Sequence, residues 1–277
     1  MTPATLVGSK TDPLLSRVRV PIAYTRKKPR PTATMLPPAV VGVVLLVIWQ
    51  IIATLADSDL VPTPAAVVVQ TVENFQDPDF LANLLSTIKL VTIAYVVTVV
   101  LGTVVGFAVG TVPFLNHVVA LSLFVLYAIP NVVLFPIFLL FLGITETTQI
   151  AFGFAHGFIP MTLVVLAAMN TIPQTRLMLA ASLRVPTRTL FWRITVPSIL
   201  SSITTGMRIS FGLVFIGVVL GEMLFGQAGL GVELVLDISL GRMGDIISLV
   251  FVIAVIAMVP TGLLRALEVR TTGRYRL

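Results

Sequence analysis

The chain contains no cysteine. That excludes disulfides, thiolate nucleophiles and cysteine-ligated metals. It has two histidines, His117 and His156, too few for a histidine-based metal site. Charge is scarce as well. Only 11% of the 277 residues are Asp, Glu, Lys or Arg, while 57% are hydrophobic, and the mean hydropathy is +1.04. A soluble domain carries about 25% charge. An ordinary soluble enzyme is therefore excluded, because too little polar surface remains to cover so much apolar side chain. A disordered chain fails on the same count.

What the chain does have is long apolar runs. A spanning helix needs about 20 apolar residues. Six segments qualify: Leu36 to Leu55, Ile88 to Thr111, His117 to Leu142, Thr148 to Met169, Ile199 to Leu224 and Ile246 to Leu267. The fold class expected is an all-α polytopic membrane protein with six transmembrane helices and short interfacial and cytoplasmic helices. The first run starts too late and is too long for a signal peptide. The third holds Pro130 and Pro136, which predicts a kinked helix or a broken one lining a cavity.

Fifteen of the 18 basic residues fall before the first run, between the fourth and fifth, or at the end of the last. With six spans these segments share one side, which the positive-inside rule makes cytoplasmic. Most acids fall opposite. The net charge of +6 follows from topology and from the anionic inner leaflet as partner, with no need for nucleic acid. Residues 1–34 are polar and basic and read as a disordered cytoplasmic tail. Residues 35–277 form the membrane domain.

Several loops contain helices. Thr63 is placed to cap a helix with Pro64 at its first position. A further apolar piece between Gly231 and Leu240 is too short to span. The cytoplasmic stretch 170–197 reads NTIPQTRLMLAASLRVPTRTLFWRITVP. Pro173 can open a helix in it, Pro186 breaks that helix, and a second piece, Arg188 to Thr195, precedes a fifth span opened by Pro197. Exposed Leu, Phe and Trp beside arginines suit a protein-docking surface, although a helix lying on anionic lipid has the same composition.

Inside the membrane, Gly102, Gly106 and Gly110 repeat every fourth residue, and Gly217 and Gly221 do likewise. Both stripes argue for close helix approach, in a tight bundle or a dimer seam. Arg208 lies about ten residues, roughly 15 Å, into the fifth span. A charge at that depth faces a partner or a water-filled path. Glu222 follows about 21 Å further along the same helix.

These blocks resemble the permease subunits of bacterial ABC importers, the binding-protein-dependent inner-membrane family, particularly its nitrate, sulfonate and taurine group. The resemblance rests on VPTPAAVVVQTV, YAIPNVVLFPIFLLFLGI, LAASLRVPTRTLFWRITVPSILSSITTGMRIS and GVVLGEMLFGQAGLGVELVLDI, in that order. The third block resembles the loop that enters a cleft on the ATPase. Met178 stands at that motif's Glu, Leu179 and Ala180 at its two alanines, and Arg184 at its usual Gly. The loss of that Gly predicts a helix end without a left-handed cap, or a different cap at Pro186.

The resemblance implies ABC ATPase subunits, an extracytoplasmic solute-binding protein and a second permease copy, with a homodimer expected. It implies ATPase coupling through 170–197, by Leu177, Met178, Leu179, Ala180, Ala181, Leu183, Arg184 and Arg188, with Leu177, Ala180 and Leu183 buried against the ATPase. It also implies a path along the fifth span past Arg208 and Glu222. No cofactor or metal is expected, and no catalytic residue. The chain has no G-x-x-x-x-G-K-[ST] loop, so it cannot hydrolyse ATP alone. The cargo expected is a small solute, such as a sulfonate or nitrate anion. The rival readings are a membrane scaffold without a pore and an ion-coupled transporter; the latter usually carries acid or histidine relays at the midplane.

Overall fold

The computed structural model describes residues 38–56 and 61–275. The basic tail, Asp57 and Asp59 lie outside them. The chain divides into two compact units, Met1–Val47 and Ile48–Leu277. Within the first, the described residues form the opening half of one apolar helix, α1 (Pro38–Ala56).

The second unit is built from helices, with no strand among the described residues. After α1 comes the short α2 (Pro64–Asn74). As its sequence predicts, the Thr63 hydroxyl accepts from the Ala66 amide at 3.2 Å and Pro64 opens the helix. Helix α3 (Pro78–Gly110) has 33 residues. It begins ten residues before the expected Ile88, because Asp77 caps it through the Asp79 amide and Pro78 occupies its first turn. Much of the expected outer loop is therefore helix.

The third run is broken. Helix α4 (Pro113–Tyr127) stops short of Pro130, a 3-10 turn covers Asn131–Leu134, and α5 (Phe135–Leu142) leaves at 86°. Pro136 sits at the start of α5, where its missing N–H costs nothing, so it opens a helix rather than kinking one. The central helix, α6 (Glu146–Asn170), packs against α3 on one side and the fifth-span helix on the other. Next come the short α7 (Gln174–Ser182) and α8 (Thr187–Leu190).

The fifth span departs most from expectation. A π turn at Phe191–Thr195 joins α8 to α9 (Val196–Phe225) without a break, giving one helix over Arg188–Phe225 of 38 residues. Pro197 was expected to open that helix. Instead the Val196 amide reaches back to the Phe191 carbonyl. This i to i−5 bond widens the turn, and a widened turn accommodates the proline ring that an α turn would reject. Helices α10 (Leu230–Leu240) and α11 (Met243–Tyr275) complete the unit, and both pack against α9.

Four helices are long and apolar enough to cross a membrane: Pro78–Gly110, Glu146–Asn170, Arg188–Phe225 and Met243–Arg270. The bent α4–α5 pair passes the same test taken together, which makes five. The stretch Val40–Leu55 of α1 is apolar but shorter.

The glycine stripes serve packing within the chain. Cβ atoms added at Gly102, Gly106 and Gly110 would meet Met161, Val165 and Met169 of α6 at 2.8, 2.6 and 2.8 Å. Gly217 and Gly221 of α9 face His156 and Gln149 from the other side. Gly106→Ala is expected to destabilise by about 1–3 kcal/mol, since Val165 is β-branched and its Cβ cannot rotate away. Gly212→Ala is the control, because nothing lies within 4 Å of its Cβ. The check is the thermal midpoint of the purified protein in detergent; equal midpoints for the two variants would contradict the packing.

Candidate functional site

The loop 170–197 presents a compact surface. The Met178, Leu179 and Leu183 side chains are exposed at 59, 62 and 69%, and Trp192 at 63%. Ala181, Arg184 and Arg188 are exposed beside them. Ala180 is not available in the same way. It is only 4% exposed in the chain by itself, so it packs inward and cannot add much to a contact with another protein. The side chain of Leu177 lies outside the described residues.

Arg184 corrects the expectation for this helix end. The left-handed cap is present, with arginine in it, at φ +50°. The Arg184 amide donates to the Ala181 carbonyl and the Val185 amide to the Ala180 carbonyl, each at 3.0 Å. This pair of bonds is the Schellman arrangement that normally selects glycine. An L side chain in that region costs about 1–2 kcal/mol. Arg184→Gly is therefore expected to raise the stability of the isolated protein by about 1 kcal/mol, read as a higher thermal midpoint. An unchanged or lower midpoint would contradict the strained cap.

Arg208 has a carboxylate partner that sequence reasoning missed. Its Nε donates to Glu268 of α11 at 2.8 Å, and the Thr205 hydroxyl donates to the other oxygen of the same carboxylate at 2.6 Å. The expected start at Ile199 puts Arg208 about 15 Å into the span. The helix starts earlier, and Phe225 lies 17 residues further on, about 25 Å away. Glu268 stands two residues before Arg270, towards the basic end of α11. The pair thus ties the middle of the Arg188–Phe225 helix to the C-terminal part of α11. The two side chains are 34% and 22% exposed. The available signal was Glu268 itself, the one acid among the basic residues that follow the last apolar run.

Glu222 lies at the other end of α9 and is 1% exposed. Its Oε2 accepts from the Gly231 amide and from the Thr87 hydroxyl of α3, each at 3.0 Å. Thr87 in turn accepts from the Leu230 amide at 2.8 Å, and Asn83 Oδ1 accepts from the Gly229 amide at 2.9 Å. Three successive amides at the start of α10 are thereby held by side chains of α3 and α9. The glycines permit it. Gly229 adopts φ +118°, and a Cβ there would collide with the Glu222 carboxylate; one at Gly231 would meet Glu222 Cβ at 2.7 Å. Asn83 also donates to Glu233 at 3.1 Å. Burial pushes the Glu233 carboxyl above its usual range, against that hydrogen bond and assisted by the charges of Asp237, Asp77 and Asp245.

The 170–197 loop lies at the basic end of the helices and Glu222 at the other. Arg208 lies near the middle of the Arg188–Phe225 helix, about 21 Å from Glu222 along α9. Among the described residues, no group of three acids or histidines is placed to hold a metal.

The family described as "Binding-protein-dependent transport system inner membrane component" matches residues 98–271. The formylaminopyrimidine transport permease protein ThiX of Halalkalibacterium halodurans is 29% identical over 71% of this chain and 78% of its own length. The taurine transport system permease protein TauC of Escherichia coli is 26% identical over 83% and 86%. The nitrate import permease protein NrtB of Synechocystis is 28% identical over 70% and 74%.

Proposed function

The chain belongs to the family of binding-protein-dependent transport system inner membrane components, and from that premise we propose how it is oriented, assembled and coupled. The protein is the permease subunit of an ATP-driven importer and is not itself an enzyme; ATP is hydrolysed by a separate subunit, and an extracytoplasmic binding protein delivers the solute.

The proposal counts six crossings, adding α1 and the bent α4–α5 pair to the four long helices. Both termini and the 170–197 loop are cytoplasmic, as the distribution of basic residues requires. Two copies form a homodimer in the lipid, with α9 beside the two-fold axis and Arg208 in the path. Among the described residues only the Nε of Arg208 is engaged, so its terminal amines remain as donors for an anion. Taurine and nitrate, named for two of the relatives, both carry an anionic group, and a small anion is the cargo proposed here. Glu222 serves the path by holding α10 in place.

The observation that carries this reading is the surface of α7. Apolar side chains more than half exposed, flanked by arginines and set on a capped helix, suit a surface that a protein covers. The test has two parts. Because native cysteine is absent, a single Cys at Arg188 is expected to react with an impermeant reagent only from the inside; labelling from outside would overturn the orientation. In proteoliposomes holding permease and ATPase, uptake is expected to require ATP and binding protein and to favour anionic over neutral solutes. Uptake confined to neutral or cationic solutes would overturn the cargo.

A further inference from the structure

The cap after α7 holds a charge in a position that disfavours it. Arg184 takes the left-handed conformation, at φ +50°, where glycine fits without strain. The helix end gains nothing from the arginine side chain, because the capping bonds come from the Arg184 and Val185 backbone amides. Strain that persists on a residue with no packing role points to a function for its side chain. The Arg184 side chain is exposed and directly follows the exposed Leu183.

The charge around it has one sign. Residues 170–197 contain four arginines, Arg176, Arg184, Arg188 and Arg193, and no acid. All four are exposed. The ion pairs found among the described residues, Lys89–Glu146, Arg208–Glu268 and Arg242–Asp237, include none of them. Apolar side chains surrounded by cations fit a recess that is apolar at its centre and acidic at its wall. The motif that this loop resembles has the opposite sign, with Glu where Met178 stands. An anionic membrane surface would also attract arginines, but it attracts them wherever they stand and needs none in a left-handed cap. The strained position therefore favours a protein with a carboxylate at one fixed place.

We infer that Arg184 selects the ATPase: its guanidinium is matched by a carboxylate in the recess that receives α7, and an ATPase with a basic recess is rejected. The inference rests on the docking role proposed above for this loop; the sign of the recess and the part of Arg184 are what it adds. Stability and recognition then pull residue 184 in opposite directions.

The experiment measures how tightly the P-loop ATPase that copurifies with the parent chain binds the full-length permease in nanodiscs, across a range of salt. Thermal midpoints are taken alongside. Arg184→Lys keeps both charge and strain. Arg184→Asn removes the charge and suits the left-handed backbone, as Arg184→Gly does. The Asn and Gly variants are expected to melt higher than the parent yet bind the ATPase about tenfold more weakly at low salt, the loss of one charge pair in an interface. Their binding should also depend less on salt. The Lys variant should stay close to the parent in both readouts. Arg184→Glu should bind more weakly than any of these and improve as salt rises. Asn and Gly variants that bind like the parent at low salt overturn the inference, and so does a Lys variant as weak as the Gly variant. Unchanged ATPase binding with less anionic lipid retained by the Gly variant gives the arginine to the membrane instead and overturns it too. Leu183→Asp separates this inference from the docking role. If it abolishes binding while the Arg184 variants bind like the parent, the loop docks and the charge match fails. If it binds as well, both fail.

Discussion

Replacing Glu222 with Leu is expected to lower the stability of the protein by about 2–5 kcal/mol. The estimate follows from what the carboxylate holds. The Gly231 amide and the Thr87 hydroxyl both donate to it from buried positions, and each donor left unpaired in such a place costs about 1–3 kcal/mol. Glu222→Gln retains an acceptor oxygen and is expected to lose far less. Measured in detergent, the Leu variant should show a much lower thermal midpoint and poor recovery of the assembled complex, with the Gln variant near the parent. Equal losses in the two would mean that the carboxylate acts through its charge instead of through its hydrogen bonds. Gly229→Ala is expected to match the Leu variant, because its Cβ has nowhere to go except into the carboxylate.

The second large effect belongs to the loop proposed to meet the ATPase. Leu183→Asp is expected to abolish copurification of the ATPase while leaving the permease folded. Leu183 is 69% exposed and follows the last residue of α7, so an aspartate there is hydrated in the free protein and harms no internal packing. In a complex the same aspartate is buried without a partner, at a cost of several kcal/mol. Ala180 is unsuitable for this test. It is buried within the chain, and a charge there would confound folding with docking. Retention of the ATPase by Leu183→Asp, at an unchanged thermal midpoint, would place the docking surface elsewhere.

Local chemistry made parts of this molecule legible in its sequence. The Thr63–Pro64 cap, the helix after Pro173 and the stop before Pro186 each depend on a few neighbouring residues, and each was found where the sequence put it. The glycine stripes were legible as close contacts, but the sequence left their partner open between the same chain and a second copy. Contacts across distance were not legible. Glu268 lies 60 residues from Arg208, and only the packing of α11 on α9 brings them together. The anchoring of α10 needs three residues from two helices, and no spacing rule connects Asn83 and Thr87 with Glu222. Pro197 misled for a different reason. Proline penalises an α turn, and the chain avoided the penalty by widening one turn to π geometry. Arg184 misled because preference for glycine at a left-handed position is a matter of about 1–2 kcal/mol, which the surrounding fold can outweigh.

The unbroken helix from Arg188 to Phe225 has a mechanical consequence. At 1.5 Å per residue its 38 residues measure about 57 Å, longer than the hydrocarbon core by nearly a factor of two. Such a rod acts as a lever. A tilt of about 10° around its midpoint swings each end through about 5 Å, the distance of roughly one helical turn. One end is the arginine-flanked surface of the 170–197 loop. The other is tied through Glu222 to α10, at the opposite face. A push of a few ångströms from a nucleotide-driven partner would therefore arrive across the bilayer at comparable size and in the reverse direction, closing one mouth as it opens the other.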